Sequence, residues 1–181
     1  MQLFRVFTSV LVSVFFLLSC TPAFASPLMN QSMSFPETSA VAVLPGLKGV
    51  FTGTAPTNIG IHDNQLIGCP DSPNCVSSSV SDDEHYIAPI EYTAEPAAVQ
   101  EKLVAILNNQ PRTQIIDQTD DYILVEFTSR LMGFVDDAEF YFLPDGHSIA
   151  MRSAARLGES DLGVNRRRLE QFRLALQALG A

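Results

Sequence analysis

The spacing of apolar residues changes period twice in the second half of the chain. Val99, Leu103 and Ile106 recur at helical spacing and predict an amphipathic helix running to about residue 109. Its start is marked by Thr93 as an N-cap, Glu95 in the first turn and Pro96 where a backbone N–H is not needed. From residue 113 the period shortens to two, predicting strands over about 113–118, 122–129, 137–142 and 147–153. Thr119-Asp120-Asp121 and the Leu143-Pro144-Asp145-Gly146 turn separate them in pairs. Ile123, Val125 and Phe127 fall on one face of their strand, and Ala138, Phe140 and Phe142 on one face of theirs. The opposite face is mixed, with Tyr122, Leu124 and Glu126 on one strand and Asp137, Glu139 and Tyr141 on the next. Helical spacing returns from about residue 161 or 162 to 179 in Leu162, Leu169, Phe172, Leu176 and Leu179. Asn165 and Arg166 interrupt that stripe, and a polar pair beside a buried face must find partners, which directs it to the sheet end and Asp136 and Asp137. The fold class predicted is α+β: a two-layer domain with an antiparallel sheet of about four strands and two helices packed on one face.

The first half of the chain reads differently. Residues 1–25 carry Arg5, an apolar run from Val10 to Leu18 and Ala23-Phe24-Ala25, the pattern of a signal peptide cut before Ser26. Leu17-Leu18-Ser19-Cys20 offers a second reading, a lipid anchor on Cys20. Residues 26–50 have no period and are read as a flexible lead-in, leaving 51–181 as a single domain. Its opening, 51–79, holds Pro56, Gly60, Gly68, Pro70 and Pro73 and predicts a long loop, with a short edge strand following at 87–92. In an exported chain Cys69 and Cys75 form a disulfide by default, closing a seven-residue loop. Zinc would need two further ligands, and His62, His85 and His147 stand at no ligand spacing.

Charge narrows the partners. Past residue 25 the chain holds 10 basic and 20 acidic residues, a net charge of −10 that argues against nucleic acid. The bases are concentrated at the C-terminal end: all seven after residue 129 are Arg, and residues 151–169 alone carry five. That stretch leaves a strand, crosses a glycine-bearing turn and enters a helix, and a helix start flanked by guanidiniums attracts an anion or a carboxylate.

Four blocks then resemble a known family: Pro56-Thr-Asn-Ile-Gly60, Cys69-Pro-x-Ser-Pro-Asn-Cys-Val-Ser-Ser78, Gly133-Phe-Val-Asp-Asp-Ala-Glu-Phe140 and the run from Arg152 to Arg166. Together, and in this order over about residues 51–178, they resemble domain of unknown function 1499, with relatives in bacteria, cyanobacteria and plastids. The resemblance implies a periplasmic or thylakoid-lumen location for a chain with this leader, and no chemistry.

The expected site follows from the junction. Arg152, Arg156, Asn165 and Arg166 are the candidate ligand-binding residues, for a carboxylate or phosphate or for a partner protein at a membrane complex. The competing reading makes Asp136, Asp137 and Asp161 structural ties to these arginines, or a weak cation site. Ser77, Ser78 and Ser79 with three histidines leave hydrolase as a further alternative, though no Gly-x-Ser-x-Gly or His-Glu-x-x-His motif is present. The expectation is an exported, non-enzymatic binding or assembly-helper protein without cofactor, catalytic residues or metal, touching a membrane at most through its N-terminus.

Overall fold

The computed structural model describes residues 49–144 and 146–181. The expected signal peptide, Cys20, nearly all of the lead-in and the Asp145 position of the Pro-Asp-Gly turn lie outside the described residues. The chain runs β1 (Ile61–His62), β2 (Gln65–Leu66), β3 (Cys75–Ser77), β4 (Ile90–Glu91), α1 (Pro96–Asn108), β5 (Thr113–Gln118), β6 (Tyr122–Thr128), β7 (Val135–Phe142), β8 (Ser148–Ala155) and α2 (Val164–Ala178).

The two-layer domain on about four strands is overturned. The main sheet has six strands, ordered β3-β8-β7-β6-β5, with β4 also on β8, and β1 and β2 make a second sheet of two. More residues lie in strands than in helices. The physical reason lies in the opening segment. It pairs rather than merely wraps: Cys75–Ser77 lies antiparallel on Ala154 to Arg152, and Ile90–Glu91 on Ile149 and Ser148, so β3 and β4 share one edge of β8. The β1–β2 hairpin turns through Asp63 and Asn64, both at positive φ (49° and 61°), the turn geometry whose twist matches paired strands.

Both sheet faces are therefore covered, and every residue of β7 is buried. One cluster joins Val99, Leu103 and Leu107 of α1 and Leu169, Phe172 and Leu176 of α2 to Ile123, Val125, Phe140 and Met151. Across the sheet a smaller cluster sets Leu66 of the hairpin against Tyr122, Tyr141 and Ala150. The mixed face of the sequence pattern is thus a second interior, which explains how carboxylates on it come to be buried.

The helix boundaries also differ from expectation. Glu95, in extended conformation, precedes α1, so Thr93 does not cap it. α2 starts at Val164 because Leu162 and Gly163 both hold positive φ, 54° and 73°, which no helix can include.

Candidate functional site

The strand alternation that buries the sheet's mixed face also stacks its charges. Glu126 on β6 stands directly opposite Asp137 on β7, which stands opposite Ala154 on β8. Two carboxylates in register repel. Arg156, just past β8, lies between them: Nε donates to Asp137 Oδ2 at 2.8 Å, Nη2 donates to Asp137 Oδ1 at 2.7 Å, and Nη2 also reaches Glu126 Oε1. Only 7% of the Arg156 side chain is exposed. Its hydrogen bonds to Asp137 push the guanidinium pKa further above the usual range, against the opposing effect of burial.

Two residues further along the strands the pattern repeats. Glu139 is fully buried and meets three donors: Tyr122 Oη at 2.8 Å, the Gly60 backbone N–H at 2.7 Å and Arg152 Nη1 at 3.1 Å. Arg152 Nε donates in turn to the Gly68 carbonyl at 3.3 Å. Burial, and then the Glu139 charge, raise the Tyr122 phenol pKa well beyond its ordinary value, so it stays a donor. This unit ties the opening segment to the sheet at Gly60 and Gly68. The disulfide joining Cys69 to Cys75, with Cα atoms 5.6 Å apart, holds the same segment to the edge strand.

On the helix face, Asp136 pairs with Arg168 Nη2 at 2.7 Å, and the Arg168 guanidinium carbon lies 4.5 Å from the Phe127 ring centroid. Burial raises the Asp136 pKa despite the arginine, with Asp161 and Asp137 adding in the same direction. Asn165 is fully buried, accepts from Ser153 Oγ and from Arg168 Nη1 at 2.9 Å, and donates to the Asn74 carbonyl at 3.1 Å.

The expected ligand-binding residues thus divide among four places. Arg156 sits on Asp137 and Glu126, Arg152 on Glu139, and Asn165 in the helix-to-strand seam. Arg166 is apart from all of them, donating to the Tyr86 carbonyl at 2.6 Å and the Glu84 carbonyl at 2.8 Å. Asp136 and Asp137, being adjacent on a strand, point to opposite faces. Asp161 takes the backbone N–H of Gly163 at 2.8 Å and of Asn165 at 2.7 Å, so the first amides of α2 meet the chain's own carboxylate. Glu126, Tyr122, Asn74 and Arg168 were not expected at the site. The available signal was the alternation that puts Glu126 on the same mixed face as Asp137 and Glu139, beside strand and junction arginines.

The serine run is held by main-chain groups. Ser77 Oγ donates to Ile67 O, and Ser78 Oγ accepts the Met151 N–H. His85 faces Asp82 at 2.6 Å through Nδ1 and the Ser72 carbonyl at 3.3 Å through Nε2, so neither ring nitrogen meets a serine hydroxyl.

Among what the junction leaves open is a large apolar side chain. Leu162 is 83% exposed in a left-handed conformation. Its N–H donates to Ser160 Oγ at 3.2 Å and its carbonyl accepts Arg167 Nη1 at 2.7 Å, with Asp161 fixing the next amide. Beside it, a crevice of about 180 Å³ is lined by Phe134, Asp136, Leu157, Asp161, Val164 and Arg168 among others. No curated protein and no solved structure matches the chain. The family description that matches, over residues 65–176, is "protein of unknown function (DUF1499)", and the chain belongs to that family.

Proposed function

We propose that this is an exported, non-enzymatic binding protein, resident in a periplasm or a thylakoid lumen, that assists a membrane complex through the β8–α2 junction. The observation that carries the reading is Leu162: a large apolar side chain displayed to solvent from a backbone conformation unfavourable to leucine. A left-handed non-glycine residue persists only where its surroundings hold it, and such positions cluster at binding sites. The arginines beneath serve as the rigid base. Arg156 and Arg152 are already matched to carboxylates, and Asp161 occupies the helix amides, which disfavours a small anion at these groups.

Affinity capture tests the reading, using residues 26–181 as bait on membrane and soluble extracts of the source cells. Native protein is expected to retain a defined complex that folded Leu162→Asp loses, with circular dichroism confirming the variant's fold. Retention of the same complex by both forms would place the contact elsewhere. N-terminal sequencing of the protein from its own cells tests export, with Ser26 as the expected first residue.

A further inference from the structure

We infer that the end of the sheet carrying the junction docks on an anionic lipid surface. This goes beyond the partner-protein reading, with which it shares only the Leu162 loop, and it makes the bilayer itself a ligand.

Three features converge at this end. The first is apolar: the β6–β7 loop presents Leu131 at 69% exposure and Met132 at 39%, and the β8–α2 loop presents Leu157 and Leu162. Antiparallel pairing of β6, β7 and β8 brings both loops to the same end, and the crevice between them is lined from both. Apolar side chains on loop tips bury favourably in the boundary between headgroups and acyl chains.

The second is charge. Next to these loops, a groove of about 360 Å³ between the end of α1, β6 and α2 is bordered by Arg112, Arg167 and Arg168. It adjoins another of about 400 Å³ bordered by Arg112 and Arg130, and no carboxylate lines either. Arg168 is matched to Asp136, but Arg112, Arg130 and Arg167 have no ion-pair partner among the described residues. Arg112 is held at φ 59°, and Thr113, lining both grooves, buries a hydroxyl that has no hydrogen-bond partner among the described residues. Arg112 and Arg167 each donate to a carbonyl, of Thr128 and Leu162, and a phosphate headgroup supplies the charged acceptor that these guanidiniums lack. Two acids on the β8–α2 loop oppose such a surface, exposed Glu159 and half-buried Asp161. Asp161 is engaged by the Gly163 and Asn165 amides, and Asp136, which also lines the crevice, by Arg168, which leaves Glu159 as the acid to test.

The third is the distribution of charge over the whole molecule. Exposed Glu91, Glu95, Asp120 and Asp121 lie at the opposite end of the sheet, beside the start of β8 and in the β5–β6 turn. With these four exposed acids at the far end and three arginines without ion pairs at the near end, the near end faces a negative surface more favourably than the far one. The chain also enters the described domain at the near end, with the Phe51 ring 5.2 Å from Phe134 and Gly53 packed against Arg156 and Leu157.

Co-sedimentation of residues 26–181 with pure phosphatidylcholine vesicles, or with vesicles containing phosphatidylglycerol, tests the proposal without any partner protein. Binding is expected to the anionic vesicles alone and to weaken with salt. It should fall about fivefold for each of Arg112→Gln, Arg130→Gln and Arg167→Gln. The Leu131→Ser, Leu162→Ser pair should weaken it at least about tenfold, and Glu159→Gln should strengthen it. These are exposed positions, and thermal unfolding of each variant confirms that it is folded. Absence of binding to either vesicle, equal binding to both, or native-like binding by the folded triple arginine variant would overturn the proposal. So would saturation of the grooves by inorganic phosphate with no vesicle binding, which would reassign them to a soluble anion. Failure of the native protein to capture any complex, with its vesicle binding intact, would sink the partner reading alone.

Discussion

Arg156 grips Asp137 through two nitrogens, Nε at 2.8 Å and Nη2 at 2.7 Å, and by the same guanidinium holds Glu126 beside it. One cation thus stands between two carboxylates that the strand register forces together. Removing it leaves both negative charges at a mostly buried site with no partner, whereas keeping the charge but losing the fork keeps only part of the match.

Arg156→Ala is therefore expected to destabilise the domain by about 3–5 kcal/mol, the range for breaking one side of a buried pair. Arg156→Lys should fall between it and the native protein, because an ammonium cannot span Asp137 in the two-nitrogen geometry. Urea denaturation checks both, and equal stability of all three forms would show that Glu126 and Asp137 find solvent.

How far the sequence announces this arrangement can be judged residue by residue. The strands from Thr113 onward are legible, because alternation of Ile123, Val125 and Phe127 against Tyr122, Leu124 and Glu126 is a direct consequence of the pleat. The edge strands are not, since Cys75–Ser77 and Ile90–Glu91 are too short to show a period and pair only because β8 offers them an edge. Arg156 is legible as a tie to an aspartate of this end, but not to Asp137 in preference to Asp136 or Asp161. Arg168 is not distinguishable from Arg166 by composition; two residues on a helix is more than half a turn, which carries Arg166 to the 84–86 loop and Arg168 to Asp136.

Leu162→Gly separates backbone strain from binding. Glycine adopts φ 54° without the steric penalty of a Cβ, and the leucine side chain is mostly exposed, so little packing is lost. The variant is expected to be more stable by up to about 1 kcal/mol, with capture of the membrane complex abolished. A rise in melting temperature with capture intact would remove Leu162 from the contact surface.

Breaking the disulfide should loosen the edge of the sheet before its centre. Closing the loop between Cys69 and Cys75 limits the unfolded chain by about 2.4 kcal/mol. Cys75 also begins β3, next to buried Asn74, which holds the Gly158 carbonyl and the Asn165 amide. Cys69→Ser is expected to lower stability by roughly that amount. Hydrogen exchange should then rise over β3 and residues 156–163, and unchanged exchange there would show that β3 holds without the crosslink.

His85 supplies a pH dependence whose sign is fixed by its two neighbours. Nδ1 faces the Asp82 carboxylate at 2.6 Å and Nε2 faces the Ser72 carbonyl at 3.3 Å, so each ring nitrogen is matched when it carries a proton. Burial works against the charge, but the bonds to Asp82 and Ser72, with the nearby charges of Asp82 and Glu84, outweigh it and raise the histidine pKa above 6.5. The folded state therefore binds the proton more tightly than the unfolded one. The stabilisation is fully present below about pH 6.5, the ordinary histidine value, and is lost as pH rises through the higher folded value. Asp82 adds a limit at the acid end. Its pKa is lowered from 3.8, chiefly by the His85 backbone N–H, so its contribution disappears only as pH falls below that value. Denaturation midpoints measured on either side of pH 6.5 should show the native protein losing stability towards alkaline pH. In His85→Gln that loss should shrink by the His85 share, and a difference of the same size in both proteins would mean that the histidine gains nothing from its two acceptors.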